Sequence, residues 1–148
     1  MRESLASGEQ REWERTCPLD ITSDVLWKLD AYRAALYLLH VWRGDRKALL
    51  AAPGGDHVAG QLTKATGSIC ANLAEGYSRS TRADRLRFLD YALGSTRECV
   101  TWYQAATDIL ADEQLASRLH LLTRIRSLLL GLIRSLRVGP SPLARFRP

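Results

Sequence analysis

QLTKATGSICANLAEGYSRSTRADRLRFLDYALGSTRE, residues 61–98, decides the fold. Its apolar residues recur every three to four positions. With Val58 in front, Leu62, Ala65, Ile69, Leu73 and Gly76 fall on one face of a helix. Gln61, Ser68, Asn72, Glu75 and Arg79 form a polar stripe directly beside it. Ser80 or Thr81 then caps a following helix, with Asp84 three residues after Thr81 in a capping-box-like position. Leu86, Leu89, Ala92, Leu93, Thr96, Cys99, Val100, Tyr103 and Leu110 face inward along it. The pattern predicts helices over about 56–78 and 81–111.

Upstream, Thr22, Ser23 or Asp24 can cap a helix that runs to about Trp42, with Val25, Leu29, Tyr32, Leu36 and Leu39 at helical spacing. Further apolar residues widen that stripe to much of the circumference. A helix apolar on more than one face needs more than one partner surface. Gly44 to Asp56, with Ala-Pro-Gly-Gly at 52–55, reads as a loop. Downstream, Asp112 caps a last helix to about Val138, with Leu115, Leu119, Leu122, Ile125, Leu129, Leu132 and Leu136 as its stripe. Gly139, Pro140 and Pro142 end it. No segment shows convincing period-two alternation. The expectation is an all-α, antiparallel up-down four-helix bundle over residues 21–138. A flexible N-terminal arm (1–20) precedes it and a basic C-terminal tail (139–148) follows.

The chain has 148 residues, enough for one domain with a sizeable core. With 46% hydrophobic and 25% charged residues it is not a disordered sequence. Its longest uncharged apolar runs, 34–42 and 128–133, are far short of the roughly 20 residues a membrane span needs. The polar start MRESLASGEQREWER is not a secretory signal. Three cysteines, at 17, 70 and 99, do not make a disulfide framework. These features predict a cytoplasmic protein with reduced thiols and no membrane partner.

Charge distribution says more than the net +5. Residues 1–60 carry 8 basic and 9 acidic side chains, whereas 61–148 carry 13 and 7. From Gln114 onward there are seven arginines and no acid. Arginine forks bind phosphate, and released counterions drive the association. The candidate nucleic-acid contacts are Arg79, Arg82, Arg85 and Arg87 at the turn between the second and third helices, and Arg118, Arg124, Arg126, Arg134 and Arg137 on the last helix. Arg126, Arg134 and Arg137 project within about 80° of one another at ~100° per residue. Tyr77 and Phe146 are candidates for base stacking. The competing reading is that these arginines only solvate a helix and favour its C-terminus.

Nothing in the chain points to catalysis. It has no Gly-rich phosphate loop and no Walker-type lysine. His40, His57 and His120 lie on three different segments, and no Glu-x-x-His pair for a di-iron bundle is present. Cys70 and Cys99 sit at or beside core faces as small fillers. The expectation is a protein that is not an enzyme and needs no metal or cofactor. Gly67-Ser68 and Gly94-Ser95 fall mid-helix, where small residues on facing helices let backbones approach closely. Asn72, Glu75 and Glu98 border core stripes and read as a structural polar network, with Glu75 able to pair with Arg79 at i+4. A catalytic use of Asn72, Glu75 and Glu98 is the weaker alternative.

Q-L-x-K-A-x-x-S-I-x-x-N-L-A-E-G-Y-x-R (61–79) followed by F-L-x-x-A-L-G-S-x-x-E (88–98) resembles the four-helix bundle proteins of the 23S rRNA intervening-sequence family. The resemblance covers roughly residues 22–138. Two positions depart from the family pattern: Leu-Leu-Ala-Ala-Pro-Gly-Gly-Asp (49–56) stands where a Phe-Pro-Lys-type motif is usual, and Thr63-Lys64 where a basic pair is usual. The resemblance implies a small all-α bundle assembled as a ring-shaped homo-oligomer, several members being homopentamers. A distant branch is the accessory variability protein of diversity-generating retroelements, a basic barrel that binds nucleic acid beside a reverse transcriptase. The resulting expectation is a non-catalytic homo-oligomer that binds RNA or an RNA–DNA intermediate through its arginines, with a reverse transcriptase as a further partner. The alternative is a protein–protein scaffold whose positive charge serves solubility or an acidic partner.

Overall fold

The computed structural model describes residues 6–139. The described residues contain six α-helices and no strand: α1 (Gly8–Thr16), α2 (Leu19–Thr22), α3 (Asp30–Ala51), α4 (Gly55–Ser78), α5 (Arg82–Gln104) and α6 (Asp112–Val138). A 3₁₀ turn, Val25–Lys28, joins α2 to α3. The four long helices pack in a closed cycle, α3 on α4, α4 on α5, α5 on α6 and α6 on α3. The α3–α6 seam is the least extensive of these contacts.

The core is built as the periodicity dictates. Leu62, Ala65, Ile69 and Leu73 of α4 are buried, and so are Leu89, Ala92, Leu93, Thr96, Cys99 and Tyr103 of α5. Leu115, Leu122, Ile125 and Leu129 complete it from α6. Trp42 meets Tyr103 edge-on at 6.1 Å. Thr81 caps α5: its Oγ1 accepts from the Asp84 amide at 3.1 Å and donates to the Asp84 carboxylate at 2.9 Å.

Four boundaries differ from the sequence reading. α3 starts later than expected, because Asp24 caps the 3₁₀ turn by accepting from the Leu26 amide at 2.8 Å. It also runs nine residues past Trp42, through what reads as loop, because Asp45 and Leu49 are both buried. Only 52–54 remain as the connection. Gly54 sits there in the left-handed region at φ 76°, and a Cβ at Gly55 would run into the Leu49 carbonyl. α5 ends at Gln104, short of Ala111, and residues 105–111 turn back with Asp108 at φ 73°. Asp112 begins α6 rather than capping it, and Ala111 holds the cap position.

The expected arm over 1–20 contains two helices. Ser7 caps α1 by accepting from the Gln10 amide at 3.1 Å, and α1 packs on α3. Trp13 is the anchor, 5.5 Å from Tyr37 and 5.4 Å from His40 between ring centres. Residues 1–5 and the basic tail 140–148, with Arg145, Phe146 and Arg147, lie outside the described residues.

Candidate nucleic-acid interface

The arginines named from the sequence divide into two groups. One group gathers at a single end of the helices. There α4 ends, α5 begins and α6 ends, because α5 and α6 run in opposite directions. The guanidinium of Arg82, at the start of α5, lies within 3.3 Å of where a Cβ on Gly139 would be. Arg137 reaches Asp90 of α5 at 3.9 Å. Arg79, Arg82, Arg85, Arg87, Arg134 and Arg137 therefore gather at one end of the helices, with Lys28 lining the same groove as Arg134.

Acids offset only part of this charge. Arg79 pairs with Glu75 and lies 4.8 Å over the Phe88 ring, and its Nε is buried without a hydrogen-bond partner. Arg87 pairs with Asp84 at 3.0 Å. Arg85 donates from Nε to the Arg79 carbonyl at 2.6 Å, which fixes its stem over the α4–α5 turn. Arg82 and Arg134 make no ion pair among the described residues, and both are exposed. Exposed pairs such as Glu75–Arg79 are worth about 0–1 kcal/mol, so a phosphate can displace them cheaply.

The core opens at this same end. Leu29, Leu73, Leu89, Leu132 and Leu136 line a cavity of about 280 Å³, with Tyr77, Arg85 and Ser135 among its walls. Gly76 forms part of it, and here the glycine is required: a Cβ would stand 2.9 Å from Phe88 Cβ. Beside it an open groove of about 820 Å³ follows the α3–α6 seam between Lys28 and Arg134.

The second group is committed elsewhere. Arg118 lies sixteen residues before Arg134, about 24 Å away along α6 at ~1.5 Å per residue. Its Nε and NH2 donate to the two oxygens of Asp45 at 2.7 and 3.0 Å. Asp45 is fully buried, and it also accepts from the Tyr103 hydroxyl at 2.7 Å and from Gln114. Burial alone would lower the Arg118 guanidinium, but hydrogen bonding to Asp45 and that carboxylate's charge hold it above its ordinary value. Burial, then the Asp45 charge, pushes the Tyr103 phenol far up. Arg118 is thus an internal tie between α3, α5 and α6 and leaves the proposed surface. Arg124 is half-buried and donates to Gln10 of α1, and burial lowers its guanidinium. Arg126 is half-buried on α6 with no ion pair among the described residues.

The expected polar network is also rearranged. Asn72 donates to the Ser68 carbonyl at 2.9 Å and the Ser68 hydroxyl at 3.0 Å. Ser95 of α5 donates to the same hydroxyl at 2.9 Å. This chain links α4 to α5, but Glu75 and Glu98 are exposed and do not join it. The pairing of Glu75 with Arg79 holds as read. Close packing at Gly67 and Gly94 is not found: a Cβ on either would meet no atom within 4 Å among the described residues. Among the described residues no three metal-ligating side chains cluster, and no helix is long and apolar enough to cross a membrane.

Asp45, Gln114 and Gln10 are structural polar residues that the sequence reading missed, and Tyr103, read as inward-facing, is their hydroxyl partner at Asp45. Leu38, Trp42, Asp45 and Leu49 sit at helical spacing, so an acid on the continued apolar stripe was the available signal.

The family profile of the 23S rRNA-intervening sequence proteins matches residues 55–131, which is α4, α5 and most of α6. The chain belongs to that family. A structure described as a protein of unknown function from the S23 ribosomal protein family of Bacteroides thetaiotaomicron VPI-5482 is similar in fold. It is 24% identical, superposes with a TM-score of 0.67, and is covered over 99% of its length by 71% of this chain. No curated protein matches this chain. The intervening-sequence profile begins at Gly55, so α1, α2 and α3 lie outside it.

Proposed function

We propose that this intervening-sequence family protein is a non-enzymatic nucleic-acid holder, built on an antiparallel up-down four-helix bundle. The observation that carries the reading is the convergence of six arginines at one end, three of them, Arg82, Arg85 and Arg134, without an acidic partner among the described residues. Such a surface takes the sugar–phosphate backbone of RNA or of an RNA–DNA intermediate, not a base sequence. The family name, with its reference to 23S rRNA, supports RNA over DNA. The resemblance to accessory variability proteins extends the proposal to a complex beside a reverse transcriptase.

A homo-oligomer is part of the proposal, with a ring as its form. Gly60, Gly67 and Gly94 are helical, and a Cβ on each would meet open space among the described residues. A mid-helix glycine costs about 1 kcal/mol against alanine. Close approach by a second copy gives these glycines a reason that the single chain does not. Repetition around a ring would join the arginine ends into one belt.

The test is the affinity of the purified protein for a structured RNA and for duplex DNA across a salt series. The proposal expects micromolar or tighter binding with a steep log–log salt slope. Arg82→Glu, Arg85→Glu and Arg134→Glu together should abolish binding without changing oligomer mass. Unchanged affinity in that variant would sink the reading.

A further inference from the structure

Helix α1 turns its two arginines outward, with Glu12 beside them, and Gln10 and Glu14 toward the bundle. At ~100° per residue, Gln10, Trp13, Glu14 and Cys17 share one face, with Glu9 at its edge, while Arg11 and Arg15 lie on the other. The seam face is the buried one: Gln10 is 1% exposed, and Trp13 and Glu14 are half-buried, whereas Arg11 and Arg15 are exposed. That face meets the arginines of the α3–α6 seam. Gln10 accepts from Arg124 of α6. Glu14 lies 3.5 Å from Arg33 of α3 and holds the Gln10 amide at 2.7 Å. Glu9 accepts from the Tyr37 hydroxyl at 3.5 Å. Trp13 rests on Trp27, Tyr37 and His40.

The covered stretch continues the open groove. Arg124 is ten residues, about 15 Å, before Arg134 along α6. The groove's lining reaches Ala31 of α3 and Ser127 of α6, within one helical turn of Arg33 and Arg124, and includes Asp30. On Arg124 α1 places the Gln10 amide oxygen, and on Arg33, which also pairs with Asp30 of its own helix and donates to the Trp27 carbonyl, it adds the Glu14 carboxylate; phosphate oxygens would take the place of these α1 acceptors. The anchor is slight: nine residues, one aromatic side chain and a few polar contacts, on a tether that starts at Cys17-Pro18. Burial depresses the Arg124 guanidinium, so covering it carries an electrostatic cost that an arriving polyanion would relieve.

We infer that α1 is an internal competitor that holds closed a second phosphate-binding surface, formed by Arg33 and Arg124, which extends the arginine end along the α3–α6 seam. The inference rests on the nucleic-acid reading above. A bound strand running along the groove displaces α1 and gains these two arginines.

The experiment compares the full chain with its Gln10→Ala/Trp13→Ala variant, titrating poly(U) across a salt series. Two added phosphate contacts steepen the log–log slope by about 1.4 for a single strand. If the two proteins converge near 1 M salt, affinity at 0.1 M rises about 25-fold. Adding Arg33→Ala and Arg124→Ala should return slope and affinity to those of the full chain. Helix content by circular dichroism checks that the long helices persist. Where the Trp13 variant fails to fold, Glu14→Gln keeps the helix, removes the carboxylate that competes for Arg33, and should shift affinity in the same direction. A full chain that binds poly(U) while the variants bind it no more tightly overturns the inference and leaves the nucleic-acid reading standing. A gain that survives removal of Arg33 and Arg124 also overturns it. Absence of binding in every protein overturns both.

Discussion

Replacing Asp45 by alanine should be among the most damaging single changes in this chain. Asp45 is fully buried and accepts four hydrogen bonds, two of them from one guanidinium. Its loss strands the Arg118 charge, whose side chain is only 15% exposed, and the fully buried Tyr103 hydroxyl. Breaking a buried pair from one side costs about 3–5 kcal/mol. Unfolding entropy of about 2.1 cal/mol/K per residue over 148 residues is about 0.3 kcal/mol/K, so Tm should fall by about 10–16 °C. The assay is thermal and urea unfolding at one fixed protein concentration, since any assembly makes Tm concentration-dependent. Glu75→Ala is the internal control: its ion pair with Arg79 is about half exposed, so the change should cost less than about 0.5 kcal/mol. Asp45→Leu with Arg118→Met removes both charges and should recover much of the loss, because apolar replacements of a buried pair are often neutral. A loss below about 1 kcal/mol in Asp45→Ala would refute the assignment. So would a double variant as unstable as Asp45→Ala.

The glycines separate packing from assembly. Gly76→Ala drives a Cβ to 2.9 Å from Phe88 Cβ and should destabilise the chain by about 1–3 kcal/mol in urea unfolding. Gly67→Ala and Gly94→Ala meet no neighbour, so each should raise stability of the dissociated chain by up to about 1 kcal/mol while lowering oligomer mass in light scattering. Burial pushes the Cys70 thiol up to about 12 and the Cys99 thiol further, so neither should react with a thiol reagent near pH 8 until the protein unfolds, whereas half-buried Cys17 reacts first. The folded state keeps the Cys70 proton where the unfolded chain, with a pKa of about 8.5, has lost it. Its contribution to stability is therefore full below about pH 8.5 and declines toward pH 12, and Cys70→Ala should flatten that fall in pH-dependent unfolding.

The helices were legible because periodicity is local. Leu62 to Gly76, or Leu115 to Leu129, announces its buried face within a few turns of chain. The Thr81–Asp84 cap needs only three residues of context. Boundaries failed where their cause was distant. Nothing next to Asp45 says that an acid is welcome inside; its partners are Gln114 and Arg118, 69 and 73 positions away. Gly44 therefore looked like a break, although one exposed helical glycine costs only about 1 kcal/mol and Leu49 lies beyond it. Residues 8–16 look polar, yet Trp13 and Gln10 are enough to dock them on a surface that sequence spacing does not reveal.

The same distinction governs the arginines. Counting them gives the sign of the surface, but commitment is a pairwise property. Arg118 and Arg134 are indistinguishable as letters, and one is locked to a buried carboxylate while the other is exposed without an ion pair among the described residues. Their separation along α6 has a consequence for engineering. The tie that holds α3, α5 and α6 together lies at the end opposite the arginine cluster, where the core opens into its cavity. Charge reversal at Arg82 or Arg134 removes no hydrogen bond or ion pair between described residues, and surface substitutions of that kind stay within about 0.5 kcal/mol. Loss of nucleic-acid binding in such variants, with the unfolding curve unmoved, is therefore a readout of the interface and not of the fold.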